Sequence, residues 1–189
     1  MNIVLMSGLP RSGKSTSRET FTKYLDGCDI NYMVIENTNR RSRKDDAVQL
    51  IAAQLYQAIM ERKSDTLIVE GPFMNVFDRE VILEKLDDAM SIKNGLTTNL
   101  IVIQHNRSNR FVFEHNKLGN DRTAYPDKVI VNALNSYQQP IREEGFNLIY
   151  NVNGDRYLDM VKLSGMLHKL DMDFPVLPEE EENKDEAQS

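Results

Sequence analysis

Eight residues near the start of the chain, Gly8-Leu9-Pro10-Arg11-Ser12-Gly13-Lys14-Ser15, are spaced as the phosphates of a nucleotide require: glycine, four residues, glycine, lysine, hydroxyl. Glycine lets backbone N–H groups approach phosphate oxygens with no Cβ in the way. Lys14 supplies a mobile charge for the β- and γ-phosphates, and the Ser15 hydroxyl supplies a ligand for the magnesium that bridges them. Thr16 is the next hydroxyl in line, and Arg11 and Ser12 complete the residues expected around the nucleotide. A glycine-rich turn without a ligand has the same composition. The apolar run Ile3-Val4-Leu5-Met6 before the motif and the helical pattern after it favour the phosphate reading, because strand, loop and helix N-terminus together aim amides at an anion.

Carboxylates and arginines further along the chain are the candidates for the rest of the chemistry. Glu70 ends an apolar run, where it is placed to hold magnesium or to take the proton of an acceptor hydroxyl. Glu36 ends another such run and is its rival as base. Arg40, Arg41, Arg43 and Lys44 follow Glu36, and arginine grips phosphate in a forked manner, so this turn is a candidate clamp for an acceptor. Arg107, Arg110 and Arg122 lie in a polar stretch, residues 104–125, whose position suits a lid that neutralises charge on a transferred phosphoryl group; Arg110 and Arg122 are the catalytic candidates there. His105, His115 and His168 have no metal-ligand spacing and read as structural, and Leu118 reads as core.

These residues need a scaffold, and hydrophobic periodicity supplies one. Strands are expected at residues 3–6, 32–36, 66–70, 99–103 and 147–152. Helices are expected at residues 14–25, ended by Gly27, and at about 45–62, 75–90, 126–137 and 155–170. The second carries Val48, Ile51, Leu55 and Ile59 on one side, and the last offers Leu158, Val161 and Leu167 to the sheet. Alternation of strand and helix means an α/β fold with a parallel sheet and helices on both faces.

At 189 residues the chain suits one domain, residues 1–174, followed by an acidic tail, residues 175–189, expected to be disordered. That tail accounts for most of the net charge of -6, since its six carboxylates face only Lys184. A globally basic field for long nucleic acid is therefore excluded, and local basic clusters carry any such role. The single cysteine, Cys28, rules out an internal disulfide and a four-thiolate zinc site, which suits a reducing, cytoplasmic setting. No run is long enough for a signal core or membrane span.

Two segments carry a family resemblance: Met6-Ser7-Gly8-Leu9-Pro10-Arg11-Ser12-Gly13-Lys14-Ser15-Thr16, and Arg122-Thr123-Ala124-Tyr125-Pro126-Asp127-Lys128-Val129-Ile130 with Pro140 and Glu144-Gly145-Phe146-Asn147-Leu148-Ile149. The chain resembles the kinase domain of polynucleotide 5′-kinases and its P-loop relatives, which include zeta-toxin-like and seryl-tRNA kinases. The resemblance implies a P-loop NTPase three-layer fold with a five-stranded sheet in the order 2-3-1-4-5, ATP as donor, and transfer to a hydroxyl of a nucleic-acid 5′ end or of a nucleoside or nucleotide. Two positions depart from that family. Asn37 stands where its aspartate would, leaving Glu36 or Glu70 to act as base, and His115-Asn116 replaces an arginine-asparagine pair in the lid, leaving Arg110 or Arg122 to supply charge. The other readings are a regulatory NTPase that hydrolyses without an acceptor and a pseudoenzyme that binds ATP to stabilise a surface. Asn116-Lys117-Leu118-Gly119 lacks the acid of the guanine-selecting Asn-Lys-x-Asp pattern.

Overall fold

The structure is a computed structural model that describes residues 1–37, 43–118, 124–154 and 156–178. Arg40, Arg41, Arg122 and residues 179–189 of the acidic tail lie outside the described residues. The chain divides into two compact units, Met1–Leu158 and Asp159–Ser189.

The first unit holds the sheet. Five strands, β1 (Asn2–Gly8), β2 (Tyr32–Glu36), β3 (Thr66–Glu70), β4 (Asn99–Asn106) and β5 (Leu148–Asn153), pair in parallel in the order β2-β3-β1-β4-β5. The expected fold class and strand order are those observed. Between the strands run α1 (Lys14–Gly27), α2 (Lys44–Glu61), α3 (Val76–Ile92), α4 (Asn109–Lys117) and α5 (Asp127–Ser136).

Burial explains the layering. Ile3, Leu5, Leu67, Val69, Leu100 and Val102 pack with Val48, Ile51, Leu55 and Ile59 of α2 and Ile82 and Leu86 of α3 in one continuous core. Side chains alternate along a strand, so Val4, Met6, Ile68 and Ile103 line the opposite face, all fully buried, and α1 packs on β1 and β3 there with Phe21 and Leu25 inward. A smaller cluster joins Leu9 of the glycine loop to Met74, Val112 of α4, and Ile130 and Ala133 of α5.

Several expectations are corrected. The stretch read as a polar lid begins with three more residues of β4 and then folds as α4, a helix whose apolar stripe is only Phe111-Val112-Phe113 and so left too weak a period to detect. Leu118, expected in the core, caps that helix and is 81% exposed. Helix α1 runs through Gly27, with Cys28 as its cap.

The second unit contains α6 (Met160–Lys169), which begins five residues later than expected, where the Asp159 side chain accepts a hydrogen bond from the Lys162 amide at 3.0 Å. In this unit the Ser164 hydroxyl accepts from the Leu177 amide at 3.1 Å, tying the chain after the helix back to it. Among the described residues, no helix is long and apolar enough to cross a membrane.

Candidate nucleotide and phosphoryl-transfer site

The site is built at the carboxyl edge of the sheet, where an α/β fold leaves room for ligands. Gly8 ends β1 at φ +144°, and a Cβ on it would lie 2.8 Å from Ser12 Oγ and 2.9 Å from the Cβ of His105. Arg11, in the left-handed region at φ +65°, turns the chain so that the Ser12 amide donates to Leu9 O at 3.2 Å. Gly13 then starts α1 in the left-handed region, with no side-chain cap and no acid in the first turn. The amides at this helix start are thereby left to an anion.

Lys14 folds back over the loop and donates from Nζ to Gly8 O at 2.9 Å and Leu9 O at 2.8 Å. Burial lowers its pKa to about 8, against an opposing pull from the charge of Glu70. Ser15 donates from Oγ to Glu70 Oε1 at 2.6 Å. Register brings these groups together: Met6 pairs with Glu70 across β1 and β3, and Glu70 pairs with Glu36 across β3 and β2.

Arg18 joins the two acids, a residue that sequence reasoning missed. Its guanidinium hydrogen-bonds Glu36 Oε2 and sits 3.0 Å from Glu70 Oε2, the second a charge contact without hydrogen-bond alignment. The signal was spacing: Arg18 is three residues after Ser15, on the same face of α1, but its partners are remote in sequence. Arg107 was expected only in the lid. It donates to Ser12 O at 3.0 Å and to Gly154 O, and lies over the Phe111 ring at 4.6 Å, so one side chain ties the glycine loop to the turn after β5. His105 is structural, as expected. Its Nδ1 contacts Ser7 O at 3.1 Å, so Nδ1 carries the proton and Nε2 accepts from Ser17 Oγ at 2.7 Å. Burial lowers its pKa to about 4, and the cations Lys14 and Arg107 push the same way.

The remaining candidates contact other groups. Arg110, 86% exposed on α4, pairs with Glu114 at 2.7 Å. Arg43 is exposed at the start of α2, and Lys44 pairs with Asp78 at 2.6 Å beside the capping box of α3. His115 stacks on Phe111 at 3.9 Å, while both ends of the Asn116 carboxamide bind the Tyr125 backbone. Thr16 accepts at its carbonyl from the Thr20 hydroxyl at 3.0 Å.

The residues fit a magnesium-bound triphosphate. Ser15 and Glu70 are hard oxygen donors of the kind magnesium prefers. Ser12 Oγ is buried without a hydrogen-bond partner among the described residues, beside the turned backbone that would face the phosphates. Lys14 is a half-buried side chain whose ammonium, among the described residues, hydrogen-bonds carbonyls, and an arriving phosphate would relieve its desolvation.

Comparison with known proteins agrees with this fold. The family described as chromatin associated protein KTI12 matches residues 1–146. Chaetomium thermophilum Kti12, solved in complex with ADP-AlF3, superposes with a TM-score of 0.63 at 16% identity, covering 89% of this chain and 96% of that one. A fungal RNA kinase gives 0.61 at 11% identity over 84% of this chain and 76% of its own. Mycobacterium tuberculosis APS kinase CysC, in complex with AMPPNP and APS, gives 0.57 at 15% identity over 89% and 96%. No curated protein matches the sequence.

Proposed function

The chain belongs to the KTI12 family of P-loop kinase-fold proteins, and on that premise we propose that it binds ATP with magnesium and transfers the γ-phosphoryl group to a hydroxyl of a nucleic-acid 5′ end or of a nucleoside or nucleotide. The observation that carries this reading is the Ser15–Glu70 contact at 2.6 Å beside the ammonium of Lys14, which gathers a metal-type donor pair and a phosphate-type cation at one helix start. The nucleotides named in the neighbouring structures, ADP-AlF3 and AMPPNP, support the same assignment.

In this reading magnesium, when bound, neutralises charge between the β- and γ-phosphates. Lys14 leaves the Gly8 and Leu9 carbonyls for the γ-phosphate. Ser15 and Glu70 would hold the metal, and Arg18, 3.0 Å from Glu70 Oε2, would keep that carboxylate in place. Glu70 would hold the metal's water or receive the acceptor's proton, a role its contact with Ser15 supports. Glu36, held by Arg18 and lying one strand further out, supports that placement. Arg43, Arg40 and Arg41 are proposed for the acceptor's phosphate, and Arg110 and Arg122 for transition-state charge. The setting is proposed to be cytoplasmic.

One observation favours a second reading, a regulatory NTPase or ATP-binding pseudoenzyme with no acceptor. Both candidate bases already contact Arg18, so neither is unencumbered as placed. One experiment separates the readings. Labelled ATP is offered with 5′-hydroxyl oligonucleotides, nucleosides, nucleoside monophosphates and tRNA, alongside Lys14→Ala. Label transferred to one class and lost with the variant supports the kinase; phosphate release with no labelled acceptor supports the NTPase. No magnesium-dependent ATP affinity by calorimetry would sink both active readings.

A further inference from the structure

A strand covered on both faces carries apolar residues on both, and β1 and β3 do so through Val4, Leu5, Ile68 and Val69. Strands β4 and β5 depart from this on one face. Alternation sends Gln104 and Asn106 to the side of Leu100 and Val102, the face that packs on α2 and α3, while His105 turns to Ser17 of α1. Register sets Gln104 opposite Asn151 and Asn106 opposite Asn153. Gln139, after α5, adds a fifth carboxamide. Such residues disfavour strands. Solvation of an edge strand accounts for Asn151 and Asn153 on β5, but not for Gln104, which is 1% exposed on interior β4.

The five amides are held in fixed orientations. Asn106 Oδ1 accepts from Gln104 Nε2 at 2.9 Å and from Gln139 Nε2 at 3.2 Å, and Gln104 Nε2 also donates to Tyr137 Oη at 3.1 Å. Asn106 Nδ2 therefore faces β5, where it donates at the long distances of 3.5 Å and 3.4 Å to Oδ1 of Asn151 and Asn153. That network assigns the flips: the two β5 asparagines turn their Nδ2 donors outward, and Gln139 turns Oε1 outward. The Gln139 segment is itself pinned. Buried Arg79 forks onto Glu144 at 2.6 Å and 2.9 Å and donates to Gln138 O at 2.9 Å, while the Gln138 amide donates to Met74 O at 2.7 Å.

The outcome is an uncharged, preorganised row of donors and one acceptor, at the strand ends where such sheets bind ligands. Carboxamide groups hydrogen-bond the edge of a nucleobase; here the Nδ2 groups of Asn151 and Asn153 would donate to base acceptors, and Gln139 Oε1 would accept from a base amino group. We propose that this amide shelf binds the nucleobase of the acceptor. The base is assigned to the acceptor because the shelf lies on the α2 and α3 face of the sheet while helix α1 packs on the other, and titration with AMPPNP separates it from the triphosphate's own base. The word acceptor rests on the kinase reading; base binding by the shelf does not.

The test uses the full-length chain labelled with 15N, titrated with adenosine, guanosine, cytidine and uridine, with D-ribose as control, and separately with magnesium-AMPPNP. The side-chain NH2 signals of Asn151 and Asn153 are expected to shift with at least one nucleoside and not with ribose. Asn153→Leu, at an exposed position, is expected to weaken that nucleoside about tenfold while AMPPNP affinity stays within twofold, with Asn151→Leu as the second variant. Silence of both NH2 groups toward every nucleoside overturns the proposal. So does unchanged nucleoside affinity in both variants, or a shift produced by AMPPNP alone, which would give the shelf to the triphosphate's own base. Nucleoside shifts in a protein that fails to bind AMPPNP would uphold the shelf and refute the phosphoryl-transfer reading.

Discussion

The carboxyl edge of the sheet has two unlike halves. Strands β2, β3 and β1 end in Glu36, Glu70 and the glycine loop, where two carboxylates, Arg18 and Lys14 crowd together with formal charges that cancel. Strands β4 and β5 end in a histidine kept neutral and in carboxamides. Both halves are densely hydrogen-bonded, but the first gathers two carboxylates and two cations at its strand ends in partial burial, which costs stability unless they are paired. Charge is concentrated where a triphosphate would alter it. In the other half the described strand-end groups, a histidine with a lowered pKa and uncharged carboxamides, keep one protonation state near neutral pH, which suits recognition by shape and hydrogen bonds.

The largest test of that division is Glu70→Gln. It leaves volume unchanged and is expected to lower transfer or hydrolysis by about 10²-fold, the scale of a lost general base or metal-side carboxylate, while Glu36→Gln costs much less because Glu36 reaches the site through Arg18. Steady-state rates for both variants check this, and equal losses would make Glu36 a direct participant.

On the neutral half the expected effect is one of stability. His105 has a folded pKa of about 4, below its ordinary 6.5, so the unfolded chain binds the extra proton. Its contribution is full above pH 6.5 and falls as pH drops toward 4, by about 2 kcal/mol at pH 5. Between pH 7 and pH 5 the wild type should lose about 2 kcal/mol more unfolding free energy than His105→Gln, read from urea melts at each pH.

The smallest effect returns to the charged half. Lys14 titrates at about 8 without phosphate, and a bound triphosphate raises that value. Affinity is therefore highest below pH 8 and falls above it, about tenfold by pH 9. Calorimetry in buffers of different ionisation enthalpy should register proton uptake on binding at pH 8.5 and none at pH 6.5. Absence of uptake would mean that the ammonium does not meet the phosphates.

Local patterns in the sequence revealed the first half better than the second. The strand ends, the glycine loop and Glu70 follow from runs of four to eight residues, and alternation of strand and helix sets the layering. What escaped was long-range pairing. Arg79 and Glu144 are 65 positions apart, and nothing local marks either as buried. Arg18 looks like any helical arginine until β2 and β3 bring their carboxylates to it. Helix α4 was hidden because Asn109, Arg110, Glu114, His115, Asn116 and Lys117 leave so few apolar positions. Leu118 misled for the converse reason, an apolar side chain at a helix end that points to water.

Gly8 is forbidden a side chain by the protein itself, since a methyl group there would strike His105 and Ser12 with no nucleotide present. A descendant that abandoned triphosphates altogether would still have to keep that glycine, whereas the ammonium at position 14 is tied to the loop by two carbonyl hydrogen bonds and meets no steric bar to its loss. Among relatives of this chain, loss of the lysine beside a retained first glycine would therefore mark a member that had given up the chemistry but preserved the architecture.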